Sequence, residues 1–164
     1  MKKLLVLMAM LTPMTALAAA VPQALGPNAG KFGDWTAATL GSGPAKICYA
    51  FTSASASKPV IAKRGPVMLT VTERAGARDE VTLNAGYKYP ANAKVSLSVG
   101  TAVIDFYTQS ETAFTTGGAD AVAAFKVGAA AQAVSTGPHG HDVTDDFSLT
   151  GFSGAYAAIT AACP

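Results

Sequence analysis

The chain has 164 residues, 12 Lys and Arg against 10 Asp and Glu, an apolar half and a mean hydropathy of +0.31. That length fits one ordinary domain, and so much apolar content excludes a disordered chain. Charged residues make up only 13%, roughly half the ~25% of an average soluble protein, which speaks against a strongly electrostatic partner.

Met1-Lys2-Lys3 is a short positive segment, and Leu4 to Met14 is apolar apart from Thr12 and Pro13. Ala16-Leu17-Ala18 and Ala18-Ala19-Ala20 have the small-x-small form of a cleavage site. Residues 1–20 read as a secretory signal peptide, cut after Ala18 or Ala20. The apolar run is too short for a permanent span of ~20 residues. The expectation is an exported protein, periplasmic or secreted, that is not an integral membrane protein once cleaved. Without residues 1–20, ten basic and ten acidic side chains remain, and the longest basic run is Lys63-Arg64. No nucleic-acid partner is expected.

Residues 21–31 show no periodicity and read as a flexible leader before a single domain over 32–164. From Phe32-Gly33-Asp34-Trp35 to about residue 115 the signal is period two, which places alternate side chains on one face of a strand. Val95-Ser96-Leu97-Ser98-Val99 is the clearest case; Val67 to Thr72 and Glu80 to Asn84 repeat it. Ile47, Tyr49 and Phe51 share a face, as do Ile104 and Phe106, with Asp105 turned away. Gly41-Ser42-Gly43-Pro44, Ser53 to Pro59, Arg74 to Asp79, Tyr89 to Asn92 and Gly100-Thr101 are the breaks. The last third changes character. Ala119 to Val127 predicts a short helix with Val122 and Phe125 on one face, and Ala129 to Val134 is ambiguous. Phe147-Ser148-Leu149 predicts a strand, and Gly154 to Ala162 a final helix capped by Ser153. On that helix Ala155, Ile159 and Cys163 line one stripe. The expected fold is mainly β, an antiparallel sandwich with one or two short helices in the C-terminal third.

Cys48 and Cys163 are the only cysteines. In an exported chain they read as one disulfide across 115 positions, worth about 4–5 kcal/mol in the chain-entropy picture. The alternative is a reactive or metal-binding thiol, but neither cysteine has a nearby His or a Cys-x-x-Cys partner. Both histidines lie in Gly137-Pro138-His139-Gly140-His141-Asp142. His-x-His puts two imidazoles on one side of an extended chain, so His139 and His141 are candidate metal ligands, for zinc or copper, with Asp142, Asp145 or Asp146 as a third. The competing reading is a polar surface loop ending in Asp145-Asp146. Ser153 lacks the Gly-x-Ser-x-Gly spacing of a nucleophile elbow, and no phosphate-cradling glycine loop occurs. No catalytic residue and no cofactor is assigned. Trp35 reads as a core anchor, and Tyr87-Lys88-Tyr89-Pro90 as an exposed aromatic contact patch or a strand end before a proline turn.

Phe32-Gly33-Asp34-Trp35 followed by Lys46-Ile47-Cys48-Tyr49 resembles the opening of the invasion-associated locus B family. The resemblance continues through Arg64-Gly65, Leu69 to Thr72, Glu80-Val81, Gly86-Tyr87 and Thr144-Asp145. It closes on Phe147-Ser148-Leu149-x-Gly151-Phe152-Ser153 and the helix ending at Cys163, so that residues 32–163 are covered. The resemblance implies an immunoglobulin-like β-sandwich in a secreted or periplasmic protein, with Cys48 and Cys163 as a structural bridge. It carries no catalytic residues, and His139 and His141 fall where the family tends to have small hydroxyl residues. The function expected is a non-enzymatic cell-envelope module that binds an unknown protein or envelope component. A periplasmic metal-binding protein using the His139/His141 loop is the alternative.

Overall fold

The structure is a computed structural model that describes residues 20–164. The signal-peptide reading therefore falls almost wholly outside the described residues. Among the described residues twelve strands run in chain order, with three α-helical segments, the last of them after the final strand, and one 3-10 turn at Gly43–Ala45. The strands are β1 (Gln23–Ala24), β2 (Lys31–Phe32), β3 (Trp35–Leu40), β4 (Ile47–Ser53), β5 (Ala56–Lys58) and β6 (Met68–Arg74). They continue with β7 (Ala77–Asn84), β8 (Val95–Val99), β9 (Ala102–Gln109), β10 (Thr112–Phe114), β11 (Ala130–Thr136) and β12 (Asp142–Ser148). The helical segments are a single turn α1 (Pro27–Gly30), then α2 (Gly118–Val127) and α3 (Phe152–Ala162).

Every strand pairing is antiparallel. The ladder runs β1-β3-β4-β6-β7-β10-β9-β8-β11-β12-β5, with β2 also on β3. It bends at β9, whose residues 102–106 pair with β8 while 107–109 pair with β10. One strand thus belongs to two layers. The chain changes layer a second time after β4. Ala54 N–H still donates to Val67 O at 3.0 Å, whereas Ser55 N–H donates to Asp146 O at 2.7 Å. The result is a mainly β, antiparallel sandwich with α3 packed on β3 and β4, and α2 on β7.

Side-chain alternation explains the packing. In β4 the small residues Cys48, Ala50 and Thr52 face inward, and Ile47, Tyr49 and Phe51 face outward. Small inward residues let α3 approach the sheet, and its Ala155 and Ile159 are fully buried there. Trp35 is fully buried and anchors the junction. Its ring centroid lies 4.8 Å from that of Phe152, edge-on, and its Nε1 donates to Ser148 O at 3.0 Å. Asp34 N–H donates to Thr150 O at 3.0 Å. Gly151 caps α3 at φ 90, and a Cβ there would collide with the Phe32 carbonyl oxygen. The Phe32-Gly33-Asp34-Trp35 and Phe147 to Ser153 motifs are therefore two halves of one structural joint.

Several expectations are corrected. Residues 21–31 are not a loose leader, because β1 and β2 both pair with β3 and Leu25 N–H donates to Ala37 O at 2.9 Å. The Ser53–Pro59 loop contains β5, paired to β12 through Ser57 and Asp145. The loop read over 137–146 is only a turn, since β12 already begins at Asp142. The ambiguous stretch after Ala129 is β11. Ser153 makes no capping bond; α3 starts two residues earlier than expected, at Phe152, with Gly151 as its N-cap. Tyr87 and Tyr89 are not an exposed patch but buried side chains.

Candidate functional site

The first layer holds β1 to β4, β6, β7, β10 and the end of β9, and the second holds β5, β8, β11, β12 and the start of β9. The face of the first layer turned away from the helices presents one lateral row across six strands. By register it runs Thr36, Phe51, Thr70, Thr82, Phe114, Tyr107. Tyr49 stacks on Phe51 at 6.0 Å and Tyr107 on Phe114 at 5.7 Å, so two aromatic pairs flank a floor of threonines. These rings are half-buried, apart from Tyr107 at 59% exposure. A depression of about 280 Å³ opens beside the second pair, lined by Ile47, Thr72, Thr82 and Phe114 and by the Arg74–Glu80 ion pair at 2.6 Å. A larger depression of about 760 Å³ lies over the second layer, with Lys94, Asp105 and Asp142 as well as Phe106 and Val134 in its lining.

The proposed metal ligands are not gathered into a site. His139 and His141 are exposed on the turn between β11 and β12, where Gly137 N–H donates to His141 O at 2.8 Å. The chain reverses there, with Gly140 at φ 80, so the extended geometry that would align two imidazoles is lost. Asp142 opens the following strand. Among the described residues no three His, Cys, Asp or Glu side chains stand close enough to hold a metal ion.

Two carboxylates are fully buried. Asp145, on the inward face of β12, is held by Arg64 through both oxygens, at 2.8 and 2.7 Å, and accepts Ser57 Oγ at 2.6 Å. Arg64 also donates to Ala85 O at 2.7 Å and sits 5.0 Å from the Tyr87 ring centroid. The Tyr87 hydroxyl bonds Ser135 Oγ at 2.9 Å, whereas the Tyr89 hydroxyl is buried with no hydrogen-bond partner. Burial, more than any neighbour, pushes both phenols above the ordinary tyrosine range.

Glu73 is held more loosely. Its Oε1 accepts Asp79 N–H at 3.3 Å, and Arg78 Nε lies 2.5 Å from Oε2 but off the hydrogen-bond axis. Loss of water raises its pKa above the ordinary glutamate value; the Asp79 backbone bond and the Arg78 charge oppose this only in part. Cys48 and Cys163 form the disulfide beside it, with Cα atoms 5.9 Å apart. Arg78 Nη1 donates to Cys163 O at 2.6 Å, and Lys46 Nζ to Ala162 O at 2.8 Å, so the foot of α3 is clamped three times. Tyr156 donates to Asp79 Oδ1 at 2.7 Å while Lys126 lies 4.2 Å from its ring centroid.

These features define a disulfide-locked β-sandwich whose disulfide fits an exported protein, and among the described residues no helix is long and apolar enough to cross a membrane. Residues 35–160 match the family model described as Invasion associated locus B (IalB) protein, and the chain belongs to that family. No curated protein matches the chain, and no solved structure does either.

Sequence reasoning found Trp35, the disulfide and the inward stripe of α3. It missed Arg64, Asp145 and Glu73. The available signal was a lone charged residue at an inward position of a period-two segment, as Glu73 is after Leu69 and Val71.

Proposed function

We propose that the chain, once residues 1–20 are cleaved, acts as a single non-enzymatic binding module in the periplasm or outside the cell. It engages a protein or another envelope component through the outward face of the first layer. The observation that carries this reading is the pair of aromatic stacks on that face. Solvent-facing Tyr and Phe, with few charges among them, are the side chains from which interface cores are built. The two buried carboxylates support the non-enzymatic reading, because each is paired with an arginine and neither lines either depression.

The test is in-cell photo-crosslinking with the crosslinking side chain placed at Thr82 on the aromatic face, or at Ser98 on the opposite layer. Adducts to one defined partner from position 82, lost in a Tyr107→Ser/Phe114→Ser chain that still folds, are the expected result. Equal capture from both faces, or none from position 82, overturns the assignment of the face.

A further inference from the structure

Cys48 has two direct neighbours in the ladder, Thr39 on β3 and Glu73 on β6, and all three side chains point under α3. Side chains opposed in this way stand with their Cβ atoms about 4.5–5.5 Å apart. Thr39 Oγ1 lies 3.6 Å from Cys48 Sγ but donates its proton to Ile47 O at 2.9 Å. Of the two, only Glu73 can take up a proton. Glu73 has no exposed surface and is paired in register with a cysteine that also has none.

Arg78 ties this carboxylate to the bond itself, with Nε at Glu73 Oε2 and Nη1 on the carbonyl of Cys163. The other polar groups around it are Asp79 on β7, Tyr156 on α3 bonded to Asp79, Lys126 of α2 over Tyr156, and Lys46, just before β4, bonded to Ala162 O in the last turn of α3. A buried carboxylate that has one long backbone bond and shares its arginine with the Cys163 carbonyl is a costly filler for a packed sheet face. Its register opposite Cys48 gives it a chemical use.

We propose that Glu73 is the proton acceptor for Cys48 when the Cys48–Cys163 bond closes and the proton donor when it opens. The bond is then an exchange site for a thiol–disulfide oxidoreductase, not a passive staple. In closing, the Cys163 thiolate attacks the disulfide of the oxidised partner, forming a mixed disulfide and releasing one partner thiolate. The Cys48 thiol then gives its proton to Glu73, and its sulfur attacks Cys163 Sγ, expelling the second partner thiolate. Two electrons pass from the two cysteines to the partner's disulfide; one cysteine proton leaves to water and the other rests on Glu73. Opening by a dithiol reverses each step. Without Glu73 the buried Cys48 would have to form a thiolate in apolar surroundings, where its pKa rises.

The experiment starts from the full chain with both thiols reduced and adds oxidised glutathione between pH 6 and 9. Conversion of the Cys163–glutathione adduct to the internal disulfide is followed by acid quench, alkylation and intact mass. Glu73→Gln is expected to slow that conversion about a hundredfold at pH 7, the lower end of what a positioned base contributes. Its rate should then rise with pH as for an isolated buried thiol. An unchanged rate and pH profile in Glu73→Gln overturns the proposal. If Glu73→Gln fails to fold, Arg78→Met decides. Losing the guanidinium moves the midpoint of the rate profile to higher pH if Glu73 carries the proton, and an unmoved midpoint overturns the proposal. Should the reduced chain be unfolded, the same comparisons are read from opening of the folded oxidised chain by dithiothreitol.

Discussion

Asp145 and Glu73 are both fully buried carboxylates, each beside an arginine, in opposite regions of the sandwich. Asp145 is saturated. Two guanidinium nitrogens and a serine hydroxyl donate to it, with both oxygens engaged, and its arginine is itself 7% exposed. Glu73 shares an arginine that is 43% exposed with the foot of α3, and one of its oxygens has no hydrogen bond. The same pair of residue types thus produces a fixed internal tie in one place and a titratable, adjustable contact in the other. Partner burial and the number of donors make the difference.

The largest expected effect lies on the Glu73 side and comes from the disulfide, not the ion pair. Replacing Cys48 and Cys163 by serine reopens a 115-residue separation. It should lower the unfolding free energy by about 4–5 kcal/mol in the chain-entropy picture. Urea titration followed by Trp35 fluorescence measures it, since Trp35 packs directly on the first residue of α3. A loss below about 1 kcal/mol would mean that Arg78 and Lys46 alone hold the helix foot.

Next comes the saturated pair. Asp145→Asn leaves Arg64 charged and buried, and breaking such a pair costs about 3–5 kcal/mol. The double change Arg64→Met/Asp145→Leu should cost less than Asp145→Asn alone, because no charge is stranded. The corresponding Glu73→Gln should cost far less than Asp145→Asn, because Arg78 keeps its bond to Cys163 O and reaches water. Equal losses in urea titration would erase the contrast between the two sites.

The contrast also explains what could be read from residues alone. The strands at 95–99 and 80–84 and the α3 stripe were legible because their inward positions are uniformly apolar or small. β12 was legible only at its Phe147-Ser148 end, because its inward set is Val143, Asp145 and Phe147. A charge in the middle of the pattern reads as a polar loop until Arg64, 81 positions away, is known to meet it. β5 and the pairing of residues 23–24 and 31–32 were hidden for a different reason. They are two or three residues long and exist only because a neighbouring strand offers an edge. Of the outward face, the sequence shows that Ile47, Tyr49 and Phe51 lie together, but not that this is the solvent side. Large apolar residues ordinarily mark the inside, and here α3 demands small ones there.

A smaller pair of effects sharpens the comparison through tyrosine hydroxyls. Tyr156→Phe removes a 2.7 Å bond to Asp79 on the Glu73 side and should cost about 1 kcal/mol. Tyr89→Phe, beside the Asp145 tie, deletes a buried hydroxyl that bonds to nothing and should be neutral or stabilising by up to about 1 kcal/mol. Thermal unfolding of the two variants under one buffer tests the opposite signs.

The smallest effect separates the two carboxylates by pH. Burial raises the Glu73 pKa in the folded chain above its unfolded value, so between those two values the folded state binds more protons than the unfolded one. Stability from this group is then fully present below the unfolded value and is lost as pH rises through the folded one, the reverse of an ordinary paired carboxylate. The slope cannot exceed about 1.4 kcal/mol per pH unit for one proton. Subtracting the Glu73→Gln urea titration from that of the unaltered chain, point by point from pH 4 to 8, isolates it. The difference should fall with rising pH. A difference that rises instead would mean that Arg78 outweighs desolvation, making Glu73 a second fixed tie like Asp145 and removing the physical basis for its exchange of a proton with Cys48.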